Sequence, residues 1–382
     1  MTDSRHPPGL AALILAAGYA SRMGQFKPLL PLDGKTVIES AISTFRSTSV
    51  TTVMVVTGHN SMQLQTVLKQ SGVSAVHNPD YARGMYSSVQ AGIKALPEDT
   101  EACFLLPADI PLVRVATIRA VAKHYASTQA PIIYPVFQGE RGHPPLISHE
   151  LFADILAGDR QGGLHTLLQR HEKNASEIEV FDEGILLDMD TPEDYAQMKN
   201  LAPHRQAPTV AECDAILDAQ GVAQPIRSHG QAVAAVAEAF TQRLRVRGIV
   251  IDPSLVRAAS LLHDIAKGRP AHAHVGASIV ADLGFPQLAC IIGRHMDMNF
   301  DGGEPQEDAI VFLADKLVQQ DRRVSLEKRF QPAFERFHDQ AQALRGANRK
   351  YNTAQAILGA VEQLAGASAT DILANCGVPT CP

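Results

Sequence analysis

Two groups of residues in this 382-residue chain have types and spacings suited to phosphate chemistry. Residues 13–30 read Leu-Ile-Leu-Ala-Ala-Gly-Tyr-Ala-Ser-Arg-Met-Gly-Gln-Phe-Lys-Pro-Leu-Leu, an apolar run passing into a loop bracketed by Gly18 and Gly24 and carrying Arg22 and Lys27. Glycines let backbone N–H groups converge on phosphate oxygens, and fixed cations stabilise a departing pyrophosphate. The loop has neither the Gly-Lys-Ser/Thr of a P-loop nor the glycine spacing of dinucleotide folds, and by itself it reads as an ordinary βα turn.

Far downstream, Leu261-Leu262-His263-Asp264-Ile265-Ala266-Lys267 places a histidine and an aspartate inside an apolar helical pattern, with His229, His272, His295 and Asp315 spaced around it. An ionised aspartate among leucines is costly unless a cation offsets its desolvation. For one such aspartate a nearby lysine or arginine is the simpler partner. Two of them beside five histidines between residues 229 and 295 favour a metal site, and mixed histidine and carboxylate ligands suit Mn, Fe, Co or Zn.

Further carboxylates follow apolar runs in the first half. Leu105-Leu106-Pro107-Ala108-Asp109-Ile110-Pro111-Leu112 ends one expected strand, and Leu186-Leu187-Asp188-Met189-Asp190-Thr191-Pro192-Glu193-Asp194 ends another. Strand alternation puts Asp188 and Asp190 on one face, while Thr191 reads as an N-cap with Pro192 at the first helical position. Carboxylates from two strands are what magnesium takes beside substrate phosphates. Singly, Asp109 or Asp190 reads first as a cap or turn residue.

The elements that must position these groups change character along the chain. From residue 10 to about 200, short apolar runs (Ala11 to Ala16, Val53 to Thr57, Val73 to His77, Ala102 to Leu106, Ile132 to Tyr134, Ile185 to Leu187) alternate with helical patterns. That alternation predicts an α/β domain with a doubly wound, mostly parallel sheet, whose ligands bind at the carboxyl ends of strands. Residues 201–209 break the pattern with two prolines and read as a linker between domains 1–203 and 204–382. Beyond it the reading is all-α: a helix over 229–244 capped by Ser228, one opened by Asp252-Pro253 and closed by Gly268, a last helix over 353–365, and a mobile final dozen residues.

Composition bounds the partners. Hydrophobic residues at 45% and charged residues at 19% describe a globular protein with enough chain for two cores. A formal net charge of −6 argues against a nucleic-acid binder, so phosphate partners should be small and locally clamped. Cys103, Cys213, Cys290, Cys376 and Cys381 lack disulfide or zinc spacing, which fits a reducing cytoplasmic setting. No targeting segment is expected, and no apolar run approaches the ~18 residues of a membrane span.

Six motifs then occur in order: Leu-Ala-Ala-Gly-x-x-Ser-Arg-Met-Gly-x-x-Lys over 15–27, Asn78-Pro79 with Gly84-Met85-Tyr86-Ser87-Ser88, Ala108 to Leu112, Tyr134-Pro135 through Gly139-x-Arg141-Gly142-His143-Pro144, Gly158-Asp159, and Asp188 to Asp194. Together they resemble the MobA-like nucleotidyltransferases, which share the nucleotide-diphospho-sugar transferase-like fold, and within them the molybdenum cofactor cytidylyltransferase branch. The resemblance implies that Ala16, Ala17, Gly18 and Gly24 hold the nucleotide. Arg22 and Lys27 would neutralise its phosphates, and Asp109 and Asp190 would hold Mg2+. The acceptor would be a molybdopterin-type phosphate lined by Ser88, Arg141 and His143, with His143 alternatively a purely structural residue of a Gly-His-Pro turn. Ala17, where guanylyltransferase members usually carry glycine, implies CTP rather than another nucleoside triphosphate.

In the second half the order His229, His263-Asp264, His272, His295, Asp315 resembles the HD-domain phosphohydrolases with two metals, over a core of roughly 210–325. By that resemblance His229, His263, Asp264 and Asp315 bind one ion, and Asp264, His272 and His295 a second. His272 fits the motif better than His274, and His338-Asp339 reads as a solvated helix face. Lys267 and Arg294 either contact substrate phosphate or are surface residues. The combined expectation is a bifunctional transferase and hydrolase. The alternatives are an HD half that regulates transfer or delivers the cofactor to an apo-molybdoenzyme, and a sugar-phosphate nucleotidyltransferase in the first half.

Overall fold

The computed structural model describes residues 9–18, 25–158 and 162–381, and the chain divides into two compact units, Met1–Pro203 and His204–Pro382. In the first unit β1 (Leu10–Ala16) is followed by the short antiparallel pair β2 (Pro31–Leu32) and β3 (Lys35–Thr36), then α1 (Val37–Arg46). Next come β4 (Thr52–Thr57), α2 (Ser61–Gln70), β5 (Ser74–His77), α3 (Met85–Lys94), β6 (Ala102–Pro107) and α4 (Val115–Thr128). The unit closes with β7 (Ile132–Phe137), β8 (Glu140–Arg141), β9 (Leu146–Ser148), α5 (Phe152–Ala157), α6 (Gly163–Arg170), β10 (Ser176–Glu179) and α7 (Pro192–Leu201).

The sheet runs β10-β7-β9-β6-β1-β4-β5, with β8 on β7. Its centre is parallel, since β1 pairs with both β4 and β6, and β9 enters antiparallel between β6 and β7. Every residue of β6 is buried, so its two faces are both covered. Leu13, Val56 and Leu105 pack on one face with Val89 and Ile93 of α3, while Phe104 on the other meets Phe45 of α1 at a ring distance of 5.7 Å. Because the chain leaves β1 for β4 on one side and returns to β6 on the other, the strand order reverses between β1 and β6. A crevice at the carboxyl ends follows there.

Several expectations change. Ile185–Leu187 is not a strand: Glu183–Ile185 is a 3-10 turn, and an irregular segment carries Asp188 to Asp190. The alternation survives without a strand, since Met189 is buried in a small core with Leu30, Leu32 and Met198 while Asp188 and Asp190 face outward. The two-residue strands β2, β3 and β8 escaped the apolar-run reading, as did β9, which has three residues, and β10, which alternates Ser-Glu-Ile-Glu.

The second unit is built from α8 (Val210–Ala219), α9 (Gln224–Val246), α10 (Pro253–Leu262), α11 (His272–Asp282), α12 (Pro286–Arg294) and α13 (Glu307–Lys316). A two-residue hairpin, β11 (Val318–Gln319) and β12 (Arg322–Arg323), interrupts the helices before α14 (Leu326–Arg336), α15 (Ala341–Ala365) and α16 (Ala369–Leu373). α13 is the core helix, buried without a break from Ala309 to Lys316 and packed on α9, α10, α12 and α15. α9 begins at Gln224, so Ser228 lies within it and caps nothing. α10 has the expected Asp252 cap but stops at Leu262, leaving residues 263–268 in turns. Successive residues of an α-helix project about 100° apart, and ending the helix here lets His263 and Asp264 turn toward the same place. The helix expected over 353–365 starts earlier, at Ala341, and the short α16 follows it. The chain end is tied down too, since Arg323 donates to the carbonyls of Leu373 and Val378 and bonds Thr380.

The loop bearing Asp188 and Asp190 is anchored by Asp182, which is 1% exposed. Its Oδ2 accepts from the Arg114 amide at 2.7 Å and the Thr117 hydroxyl at 2.6 Å, and its Oδ1 from the Gly184 amide at 3.1 Å. Asp182→Ala orphans these donors, and urea unfolding should show a loss of about 3 kcal/mol from the first unit's transition.

Candidate functional site

In the first unit β1 and β6 end side by side, Leu15 opposite Pro107, with the Ala108 amide donating to the Leu15 carbonyl at 3.0 Å. The peptides that follow, Ala16-Ala17-Gly18 and Ala108-Asp109, therefore border one cavity of about 410 Å³. Its other walls are Lys27 with Phe26 and Pro28, Tyr81, and the first turn of α3, where Gly84, Met85 and Ser88 face in. Gly84 has φ +93°, a backbone state costly for any other residue, and it starts α3 with its N-terminus toward the cavity. Arg22 and Gly24, assigned to the same loop from sequence, lie outside the described residues, as does Asp159.

Lys27 links two distant segments at the cavity wall, its Nζ 3.3 Å from Asp109 and 2.8 Å from Asp190. Burial works against its charge, but these two carboxylates outweigh that and raise its pKa. Asp188 has the opposite bias, its pKa raised by burial and then by repulsion from Asp190 and Asp109. Three carboxylates thus share one neighbourhood with a single bonded lysine among the described residues. This is the donor set that Mg2+ takes.

The acceptor-side residues fall into different settings. Ser88 is buried and accepts from the Asn78 amide nitrogen at 3.0 Å. His143 precedes a cis peptide to Pro144 and is close enough to feel the charge of Asp109, yet burial dominates and lowers its pKa. Arg141 on β8 is engaged elsewhere, 2.5 Å from Glu172 and 2.6 Å from Glu177 and lying over the Tyr134 ring at 4.4 Å. Neither Arg141 nor His143 lines the 410 Å³ cavity.

In the second unit the six residues singled out from sequence converge. Gly230 makes this geometry feasible: a Cβ there would stand 2.9 Å from the Leu261 carbonyl, so α9 approaches α10 closely beside His229 and His263. Asp264 faces the histidines with both oxygens. Oδ2 lies 3.9 Å from His229 Nε2 and 3.5 Å from His263 Nε2, and Oδ1 lies 3.4 Å from His272 Nε2 and 3.8 Å from His295 Nε2. Asp315 Oδ1 stands 3.1 Å from His229 and 3.7 Å from His263.

The tautomers are fixed from behind. Nδ1 of His229, His263 and His295 lies 2.7, 2.8 and 2.7 Å from the carbonyls of Gln320, Ser260 and Ile292, so each ring donates there and turns its Nε2 toward the aspartates. Nε2 of His263, His272 and His295 is buried without a hydrogen-bond partner. Lone pairs of imidazole and carboxylate facing one another repel unless a cation lies between them. Two triads have ligand atoms mutually within 4.8 Å, His229-His263-Asp264 and Asp264-His272-His295. The residues present therefore fit metal ions.

Charge is already tuned around this cluster. Despite complete burial, Asp264 and Asp315 raise the pKa of His263 to about 9, whereas burial and the charge on His263 push His295 down to about 4. Both aspartates are held well below the ordinary carboxylate range against the penalty of burial, Asp264 by His263 and Lys267, and Asp315 by Lys316 and His229. Lys267 Nζ is 2.5 Å from Asp264, whereas Arg294 pairs with Asp308 at 3.0 Å. His338-Asp339 is exposed, as expected. Sequence reasoning passed over Lys316, which bonds Asp315 at 2.5 Å and the His295 carbonyl at 3.2 Å, and Phe26 and Tyr81 of the first cavity. None of these has a periodic or metal-ligand spacing to betray it.

Comparison with known proteins agrees with both halves. Residues 12–175 match the MobA-like NTP transferase domain and residues 226–319 the HD domain, both enzymatic families. The chain belongs to the MobA-like NTP transferases and carries an HD domain in its second unit. It is 31% identical over 188 residues, 49% of this chain and 94% of the relative, to the molybdenum cofactor cytidylyltransferase of Escherichia coli (strain K12). It is 29% identical over 200 residues, 49% of this chain and 94% of the relative, to nicotine blue oxidoreductase of Paenarthrobacter nicotinovorans. A solved nucleotidyl transferase from Methanothermobacter thermautotroptrophicus is 26% identical, with a TM-score of 0.46 over 51% of this chain and 98% of that one. No helix among the described residues is long and apolar enough to cross a membrane.

The carboxylate cluster of the first unit carries a pH signature. A carboxyl whose folded pKa is raised loses stability as pH climbs from below its unfolded value through the folded one, so ionised Asp188 is a net liability at pH 7 without metal. Asp188→Asn should raise the melting temperature in Mg2+-free buffer at pH 7 and by less at pH 4. An advantage equal at both pH values would show that Asp188 carries no excess repulsion.

Proposed function

We propose that the first unit transfers a cytidylyl group from CTP to the terminal phosphate of a molybdopterin-type acceptor, and that the second, dividing from it near residue 203, is a metal-dependent phosphohydrolase of a nucleotide or other phosphate ester. The transferase reading is carried by the cavity at the ends of β1 and β6, where Ala16, Ala17, Gly18 and Lys27 meet Asp109. The acceptor phosphate oxygen forms a bond to the α-phosphorus of CTP as the bond to pyrophosphate breaks. Such a nucleophile is already ionised, so catalysis reduces to positioning and charge stabilisation. Backbone amides of the 16–24 loop receive the nucleotide, and Arg22 and Lys27 counter the charge that leaves with pyrophosphate. Asp109 and Asp190 hold Mg2+, which when bound screens and orients phosphate oxygens. Ser88, Arg141 and His143 serve the acceptor.

Ala17 bears on the choice of nucleotide. It is 4% exposed, and the neighbouring Gly58 has so little room that a Cβ there would stand 2.9 Å from the Ala17 methyl. A side chain in so tight a loop limits the approach of a larger purine, an effect of roughly 1–3 kcal/mol. Incubation with equal CTP and GTP plus molybdopterin, read by mass analysis, should give mainly the cytidylylated product, and Asp109→Ala should release no pyrophosphate. A mainly guanylylated product overturns the cytidine assignment, and near-parental pyrophosphate release by the variant overturns the transferase site.

The hydrolase reading is carried by the shared Asp264, whose two oxygens face two different histidine pairs. His229, His263, Asp264 and Asp315 hold one ion, and Asp264, His272 and His295 a second. Mn, Fe, Co or Zn in such a site supplies Lewis acidity and a water of lowered pKa. Asp264→Ala should strip the transition metal found by elemental analysis and any phosphatase activity while leaving transfer intact, a larger loss than His295→Ala causes. Unchanged metal content in Asp264→Ala would refute the dinuclear arrangement.

A further inference from the structure

The Gln320 carbonyl that accepts from His229 Nδ1 at 2.7 Å sits in the turn of the β11–β12 hairpin, just past residue 319, where the match to the HD domain ends. That turn has little reason to form by itself. Two residues on each strand make a hairpin too small to be stable alone. The turn residues are Gln320 and Asp321, without the glycine that favours tight hairpin loops, and Gln320 takes φ +57°. A residue held in that region persists where its surroundings over-determine it.

Residues 373–381 supply those surroundings. Arg323 of β12 donates from Nη1 to the Leu373 carbonyl at 2.7 Å, from Nε to the Val378 carbonyl at 2.8 Å and from Nη2 to the Thr380 hydroxyl at 3.1 Å. Its backbone bonds the same segment, the amide donating to the Pro379 carbonyl and the carbonyl accepting from the Cys381 amide, each at 2.8 Å. The segment thus runs parallel to β12 at a bridge between Arg323 and Thr380, and α16, which leads into it, packs on α9, the helix that carries His229. At its other side the hairpin is tied to the end of α13, where the Val324 amide donates to the Leu317 carbonyl at 2.9 Å, two residues after Asp315.

We propose that residues 373–381 support the metal centre: by fixing β12 through Arg323 they hold the Gln320 carbonyl on His229 Nδ1, and so set the affinity of the ion on His229, His263, Asp264 and Asp315. This rests on the metal-site reading of the second unit. Arg323 is a positioning residue that acts through the hairpin. The second ion, on Asp264, His272 and His295, is set apart from this support, since His295 is oriented by the Ile292 carbonyl of α12. The effect is therefore selective for one of the two ions.

The test titrates Mn2+ by calorimetry into the metal-stripped full chain, as parent, Arg323→Met and Arg323→Lys. Outer-shell partners of metal ligands are worth roughly 10–100-fold in affinity, and Arg323 acts one step further out, so one ion should weaken about tenfold in Arg323→Met while the other keeps its affinity. Arg323→Lys retains a donor for the carbonyls and should recover part of the loss; if Arg323→Met does not fold, the same selective but smaller weakening in Arg323→Lys decides. In a His295→Ala background the remaining ion is the one on His229, and the weakening should persist there. Equal weakening of both ions, or its disappearance in that background, overturns the proposal. A parent that binds no Mn2+ overturns the metal reading and this proposal with it, whereas parental binding that neither Arg323 variant alters overturns this proposal alone.

Discussion

Carboxylates brought close together repel one another, and each unit of this chain is organised around that repulsion. Asp109, Asp188 and Asp190 meet at the end of a parallel sheet, with Lys27 bonded to Asp109 and Asp190. Asp264 and Asp315 meet in a helical core among imidazoles whose Nε2 atoms face them. Neither cluster would form from local preference. Each is imposed by the surrounding framework, and in each the natural relief is a multivalent cation, because one ion satisfies several oxygens at once.

The framework meets this demand with rigid elements and small amounts of local strain. In the first unit, adjacency of β1 and β6 fixes Asp109, and the buried acceptor Asp182 fixes the loop carrying Asp188 and Asp190 from the other side. In the second, a fully buried α13 fixes Asp315, and Gly230 brings α9 against α10. Ala271, with φ +52°, adopts the left-handed conformation at a cost of roughly 1–2 kcal/mol and starts α11 on His272. Gln320, with φ +57°, does likewise at the hairpin turn whose carbonyl orients His229. Strain next to both histidines is repaid by a tautomer and direction that an unstrained turn would not enforce.

Much of this was legible in the residues, for identifiable reasons. Continuous apolar runs ending in glycine, proline or aspartate announce buried parallel strands, so the α/β half and five of its strands could be read. The Thr191-Pro192 helix start was equally plain. What could not be read depended on tertiary context. Ile185–Leu187 is apolar because it packs beneath the sheet's edge segments, and Gly142 needs that closeness, since a Cβ there would stand 2.5 Å from Ile185. The Leu-Leu-His-Asp-Ile-Ala run looks helical throughout, yet α10 ends at Leu262 so that two consecutive polar side chains can converge. The cation behind the metal cluster was invisible because Lys316 sits in a run that periodicity assigns to core.

The two sites also differ in how they are balanced without ions. In the first unit Lys27 bonds Asp109 and Asp190, while Asp188 is repelled by both, and a hard dication suits such a group of carboxylates. In the second, Lys267 on Asp264 and Lys316 on Asp315 already neutralise the two carboxylates from their outer sides. With His263 also held in its charged form by Asp264 and Asp315, that unit can close its core before any metal arrives. Metal ions added to a cluster balanced in this way would make it net positive, and positive sites draw anions.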